Sequence, residues 1–104
     1  MAKAKVNWDV VYQVISEIPR GYWISYGDLC EAAGMSRKSA KAIGLSLSRR
    51  KDVPRNIYRV LRQDGGVSAG WKGEIGTSED CIAKLKEEGV SFNQYGLADQ
   101  RCRL

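Results

Sequence analysis

Nine basic residues fall between Ser36 and Arg62: Arg37, Lys38, Lys41, Arg49, Arg50, Lys51, Arg55, Arg59 and Arg62. Only Asp52 opposes them, so this 27-residue stretch carries +8 while the other 77 residues sum to −3. Cation concentrated on so short a segment is the electrostatic footprint of a polyanionic partner. The bland alternative is a solvated basic face. Covalent chemistry has few carriers here. The chain has no His, which removes Ser-His-Asp and Cys-His catalysis in their usual forms and any His-based metal site. Cys30, Cys81 and Cys102 are odd in number, far apart and without CxxC spacing. Neither a disulfide framework nor a zinc knuckle fits, so free thiols in a reducing compartment are expected. No metal and no cofactor is implied.

The elements that must position these cations belong to a short chain. Its 104 residues, 43% hydrophobic and 28% charged, are enough for one domain with one modest core. No run of 18 apolar residues exists, and the basic start MAKAKVNWDV lacks the apolar stretch of a signal peptide. A cytoplasmic monomer with no membrane partner is the expectation. Val11, Val14, Ile15 and Ile18 stand at helical spacing after Asn7, an available N-cap, and Pro19-Arg20-Gly21 ends that helix. Tyr22-Trp23-Ile24 is β-prone. Ser25 and Asp28 form an [ST]-x-x-[DE] start for a second helix, which stops at Gly34. Ser36 caps a third, with Ala40, Ile43 and Leu47 inward and Arg37, Lys38, Ser39 and Lys41 at its N-terminal end.

Two capped helices around a Gly-containing turn, the second basic at its start, read as helix-turn-helix, whose second helix meets DNA through its N-terminal residues. Arg49 to Asn56 is polar and contains Pro54, hence a loop. Tyr58 to Leu61 is β-prone, Asp64-Gly65-Gly66 is a hairpin-turn signal, and Val67 can begin a return strand. Thr77 or Ser78 starts a last helix that ends at Gly89, and the tail 93–104 shows little pattern and is expected to be loosely held. The expected fold is α+β: a single winged helix-turn-helix domain over 1–104 with a short β-hairpin wing and a C-terminal packing helix.

Six segments then occur in order: Ile18-Pro19-Arg20-Gly21, Ser25-Tyr26-Gly27-Asp28-Leu29, Ala40-Lys41-Ala42-Ile43-Gly44, Tyr58-Arg59-Val60-Leu61, Gly65-x-Val67 and Glu87-Glu88-Gly89-Val90. Together they resemble the DNA-binding domain of the O6-alkylguanine-DNA alkyltransferases, with the motif-bearing part at about 11–92. Those enzymes accept the alkyl group on the Cys of a Pro-Cys-His-Arg-Val motif. Here the segment is Asn56-Ile57-Tyr58-Arg59-Val60. Ile57 holds the nucleophile position and cannot attack, and Tyr58 replaces the activating His, so the resemblance implies no alkyl transfer. Glu88 matches the Glu that supports the missing His and is expected to have nothing to orient. The chain looks similar to the alkyltransferase-like proteins, which flip an O6-alkylguanine out of the duplex, hold it and pass the site to nucleotide excision repair. The Gly-Tyr-Trp start and the Gly70-Trp71-Lys72-Gly73 loop also resemble modules associated with restriction-type systems.

The resemblance gives individual residues their roles. Tyr26 matches the Tyr that presses the phosphate beside the flipped nucleotide; the alternative is a core aromatic. Lys41 matches the Arg that fills the vacated stack, and extrusion costs a few kcal/mol, so a replacement wedge has a physical purpose. Lys lacks the planar group, and a phosphate contact is the alternative. Ile57, Tyr58 and Trp71 are candidates to line a lesion pocket, against plain core packing. Arg59 is expected to brace a loop, and Arg37, Lys38, Ser39, Arg49, Arg50 and Lys51 to touch phosphates. The expected function is non-catalytic recognition of O6-alkylguanine or another modified base in double-stranded DNA, signalling to nucleotide-excision-repair proteins. The alternative is a winged-helix module without lesion preference, in a regulatory or restriction-associated complex.

Overall fold

Helix α1, Trp8–Ser16, opens where Asn7 accepts from the Val10 amide at 3.3 Å. It buries Val11 and Ile15, one turn apart on one face. The structure, a computed structural model, describes residues 6–68, 71–73 and 76–104. After the Pro19–Gly21 turn come strand β1, Ile24–Ser25, and helix α2, Tyr26–Ala32. Ser25 and Asp28 close the capping box in both directions at 3.0 Å, and Gly34 at φ +82° turns the chain away. Ser36 caps not an α-helix but a 3-10 turn, Arg37–Ser39, from which α3, Ala40–Arg49, continues. Helices α2 and α3 pack against each other, and Ile43 and Leu47 point into the core.

A second 3-10 turn, Arg55–Arg59, leads to strand β2, Val60–Leu61, which pairs in parallel with β1, Ile24 opposite Val60 and Ser25 opposite Leu61. Strands β3, Lys72–Gly73, and β4, Gly76–Thr77, form an antiparallel hairpin before α4, Ser78–Glu87. Asp80 accepts from the Thr77 amide at 2.8 Å at the start of α4, and Gly89 at φ +99° follows its end. The result is a small α+β domain of four helices and short strands, with a radius of gyration of 13.1 Å, as expected for a compact chain of this length. No helix among the described residues is long and apolar enough to cross a membrane.

Ile24 and Val60 join one buried cluster with Val11, Ile15, Leu29, Ile43 and Ile57. Trp23, Tyr58 and Leu61 join a second with Cys81, Leu85 and Val90. The two-residue strands therefore stitch the α1–α3 core to the α4 core.

Two expectations are corrected. Tyr58 to Val67 does not form the hairpin: Tyr58 lies in the 3-10 turn, β2 is taken by β1, and Val67 is in no strand. The Asp64-Gly65-Gly66 turn does close, with the Gly65 amide on the Arg62 carbonyl at 2.8 Å, but its partner is the C-terminal segment. Ala98 donates to the Gly65 carbonyl at 2.9 Å, and a Cβ on Gly65 would lie 2.8 Å from the Ala98 oxygen. The hairpin is at Lys72–Thr77 instead.

Nor is the 93–104 tail loose. Its backbone brackets the fully buried Trp23, whose amide donates to Cys102 and whose carbonyl accepts from Leu104, at 3.0 and 2.9 Å. The indole N–H donates to the Asp99 carbonyl at 3.0 Å. A buried indole must find an acceptor, and the tail supplies it. Arg103 then reaches Asp28 at 2.8 and 2.9 Å. Residues 1–5 and Gly70 of the Gly-Trp-Lys-Gly loop lie outside the described residues.

Candidate nucleic-acid interface

Helix α3 presents two faces. Ile43 is buried in the core, while Lys41, Gly44, Leu45 and Ser48, with the buried Leu47 beneath them, line a cleft of about 800 Å³. Leu45 is 52% exposed and adds apolar surface to the cleft. Tyr26, the first residue of α2, forms one wall. Its ring lies over Gly44, where a Cβ would stand 3.6 Å from two ring carbons, so the small residue leaves the ring in contact with the helix backbone. Burial pushes the Tyr26 hydroxyl up to about 12, keeping it a neutral donor. Val53 and Ile57 add apolar surface, and Trp71 a second aromatic.

Four cations line this cleft: Lys41, Arg50, Lys51 and Arg62. No carboxylate lines it among the described residues. Lys41 and Lys51 are exposed and make no ion pair among the described residues. The Arg50 guanidinium lies 4.2 Å over the Trp8 ring and 5.4 Å from that of Tyr12, whose hydroxyl it also bonds. A second, smaller cavity of about 260 Å³ adjoins the first and shares Tyr26, Ala40, Lys41 and Arg62 with it.

The structure thus gathers Tyr26, Lys41, Arg50, Ile57 and Trp71 around one cleft and places the other candidates elsewhere. Arg37 borders only the smaller cavity, 38% exposed and engaged by the protein's own side chains, donating to Asp28 at 3.0 Å, to Glu31 and to Gln63 at 2.8 Å. Asp28 binds Arg37, Arg103 and the Ser25 amide at once, and Arg103 above all holds its carboxyl well below the usual carboxylate range. Lys38 and Arg49 are exposed outside the cleft lining, and Ser39 is half-buried in the 3-10 turn. Tyr58 is buried in the second cluster and does not line the cleft.

Glu88, expected to have nothing to orient, is instead the centre of a network. It accepts from the Tyr58 hydroxyl, from Arg59 at 2.9 and 2.8 Å, and from the Gly21 amide at 3.4 Å. Arg59 also donates to the Ile18 carbonyl at 2.6 Å, and the Asn56 amide to that of Ile15 at 2.6 Å. Burial opposes the Glu88 charge, yet these donors, Arg59 first, hold its carboxyl below the ordinary value. Within the 3-10 turn Ile57 packs in the first buried cluster and Tyr58 in the second, where its hydroxyl reaches Glu88. Leu45, Ser48, Val53 and Arg62 were missed as cleft residues; the signal for Leu45 was its place two positions from the inward Leu47, on another helical face.

The model for the DNA-binding domain of 6-O-methylguanine DNA methyltransferase matches residues 8–90. The chain belongs to this family. Among similar proteins are two described as bifunctional methyltransferase/endonuclease. That of Picrophilus torridus is 35% identical over 98 residues, and that of Thermoplasma volcanium 30% identical over 92. The alignments cover 92% and 83% of this chain but only 31% and 27% of the relatives' own lengths. A solved structure of S. pombe Atl1, in complex with damaged DNA containing O6-carboxymethylguanine, superposes with a TM-score of 0.66 at 24% identity, covering 94% of this chain and 91% of that one. The likeness establishes a shared fold.

Proposed function

We propose that this domain is a winged helix-turn-helix reader of DNA that holds an O6-alkylguanine, or another modified base, outside the duplex and does no alkyl transfer itself. The observation that carries the reading is the cleft: apolar Ile57 and Val53, aromatic Tyr26 and Trp71, and four cations on its lining, of which Arg50 and Arg62 pair with Asp52 and Asp64 outside it. An apolar wall with aromatics stacks on a base and accepts an alkyl group, while the cations meet flanking phosphates. Its volume of about 800 Å³ lies in the range of small-ligand sites. Lys38, Lys41, Arg49 and Lys51 are the exposed cations suited to phosphates; Arg37, already bound to two carboxylates, braces α2 instead. The occupied site would then be passed, in the cytoplasm, to excision-repair proteins.

Absence of transfer is supported at the nucleophile position, where Ile57 offers no thiol. Cys30 and Cys81 are fully buried, and burial pushes the Cys81 thiol up to about 12, far from a reactive thiolate. Mass spectrometry after incubation with O6-methylguanine DNA is expected to show no gain of a methylene.

A second reading is favoured by the length of the relatives. The matched region is less than a third of proteins described as methyltransferase/endonucleases, which suits a DNA-targeting module for a nuclease, without lesion preference. A paired titration separates the two, using duplexes with a single central O6-methylguanine or guanine at two salt concentrations. A preference of about tenfold or more, roughly 1.4 kcal/mol, is expected of the lesion reader. Equal, salt-sensitive binding favours the module, and no binding to either duplex contradicts both.

A further inference from the structure

Of the four cations on the cleft, three have chemistry already assigned by their surroundings. Lys41 and Lys51 are exposed ammonium groups, compact point charges suited to phosphate. Arg50 is stacked on Trp8 and bonded to the Tyr12 hydroxyl. Arg62 is different. Its planar fork borders both cavities, beside Tyr26 and Lys41. Its ion-pair partner is Asp64, at 3.3 Å from both Nε and Nη2, with about half of each side chain exposed. Such a pair is held weakly and exchanges readily for a better acceptor.

The chain also makes room for this guanidinium. Gly66 is buried, and a Cβ there would fall 2.9 Å from the Arg62 Cζ and closer still to Nη2. Gly66 is not among the left-handed glycines, unlike Gly65 at φ +87°. Backbone conformation therefore does not demand glycine at position 66. A Cβ would meet only the far end of the Arg62 side chain, which packs against Gly66 while paired with Asp64.

We propose that Arg62 is the specificity-determining residue of the cleft, releasing Asp64 to donate to the N7 and C6-oxygen edge of an extruded purine. A guanidinium fork matches the two acceptors set side by side on a guanine edge, which neither adenine, with its N6 donor, nor a pyrimidine offers. Asp64, half exposed, is the carboxylate that competes for this guanidinium, and a charge-assisted bond in a partly desolvated site is stronger than one in water. The assignment rests on the extrahelical-base reading and names the group that reads the base.

The test is a titration of the full chain against three duplexes, carrying central O6-methylguanine, its 7-deaza analogue, or guanine. The 7-deaza base keeps shape and alkyl group and lacks the N7 acceptor. The wild type is expected to bind it about tenfold more weakly than O6-methylguanine. Arg62→Gln is expected to bind the two alkylated duplexes equally. A uniform loss over all three duplexes in Arg62→Gln, with the salt slope reduced by about one, would make Arg62 a phosphate contact and overturn the proposal. Wild type that prefers O6-methylguanine to guanine but ignores N7 overturns the role of Arg62 alone. Wild type without that preference overturns the extrahelical reading and this inference with it.

Discussion

Ile57 and Tyr58 are neighbours in sequence and belong to opposite kinds of environment. On the Ile57 side lies an open cleft whose rim cations Lys41 and Lys51 have no ion-pair partner among the described residues. On the Tyr58 side lies a closed network, in which Glu88 is 1% exposed and Arg59 14%. There the hydroxyl, the carboxylate and the guanidinium satisfy one another, and no buried side-chain polar atom among the described residues lacks a partner. The same five-residue segment thus fixes α4 to the turn after α1 with one face and floors the cleft with the other. Loss of one partner is costly where charge is buried and paired, and binding capacity lies where charge is exposed and unpaired. Changes on one side should move unfolding, and changes on the other should move DNA binding.

The largest expected effect breaks the closed side. Glu88→Ala leaves the Arg59 charge and the Tyr58 hydroxyl without their acceptor, and a broken buried pair costs about 3–5 kcal/mol. Urea unfolding should show it as a lower midpoint. That loss is a large part of the stability of a domain this size. On the cleft side, Tyr26→Ala is expected to cost about 1–3 kcal/mol of affinity for the modified-base duplex through lost stacking, read by titration. Affinity for ordinary duplex should change far less.

Asp28 extends the closed side to the tail. Its carboxyl is held well below the usual range by Arg103 first, with Ser25 and Arg37 adding to the effect against burial. A depressed folded pKa stabilises above the unfolded value of about 3.9, and that stability is lost as pH falls through the folded pKa. Unfolding followed between pH 5 and pH 2 should therefore steepen toward acid in the wild type. Arg103→Gln should flatten the limb and lower stability at neutral pH, with the ratio of modified to ordinary duplex binding unchanged. The smallest effects belong to Lys41→Gln and Lys51→Gln. Each is expected to reduce the salt slope of duplex binding by about 0.9 for the phosphate it no longer neutralises, with unfolding unmoved.

What the sequence disclosed was local. Asn7, the Ser25–Asp28 box, Gly34 and Gly89 mark element ends because capping and left-handed turns need particular residues within a few positions. What it concealed was long-range. The parallel pairing of Ile24 with Val60 joins residues 36 positions apart through strands too short for any periodic signal. Arg37 looked like a phosphate ligand by position, and the Asp28 and Gln63 that engage it come from two other segments. The tail had no pattern to read because its work is done largely by backbone groups around Trp23. The cleft was half legible: Tyr26, Lys41 and Ile57 lie in motif segments, whereas Arg62 and Leu45 became cleft residues only through packing.

The central claim, that a modified base enters the cleft, is tested most directly by methyl and indole NMR shifts of the Ile57 side chain and Trp71 during titration. With O6-methylguanine duplex, both signals should move together with the α3 amides. With the guanine duplex, the α3 amides should move and Ile57 and Trp71 stay in place. Movement confined to α3 with both duplexes would contradict the account, leaving a basic helix that binds DNA and a cleft that binds nothing.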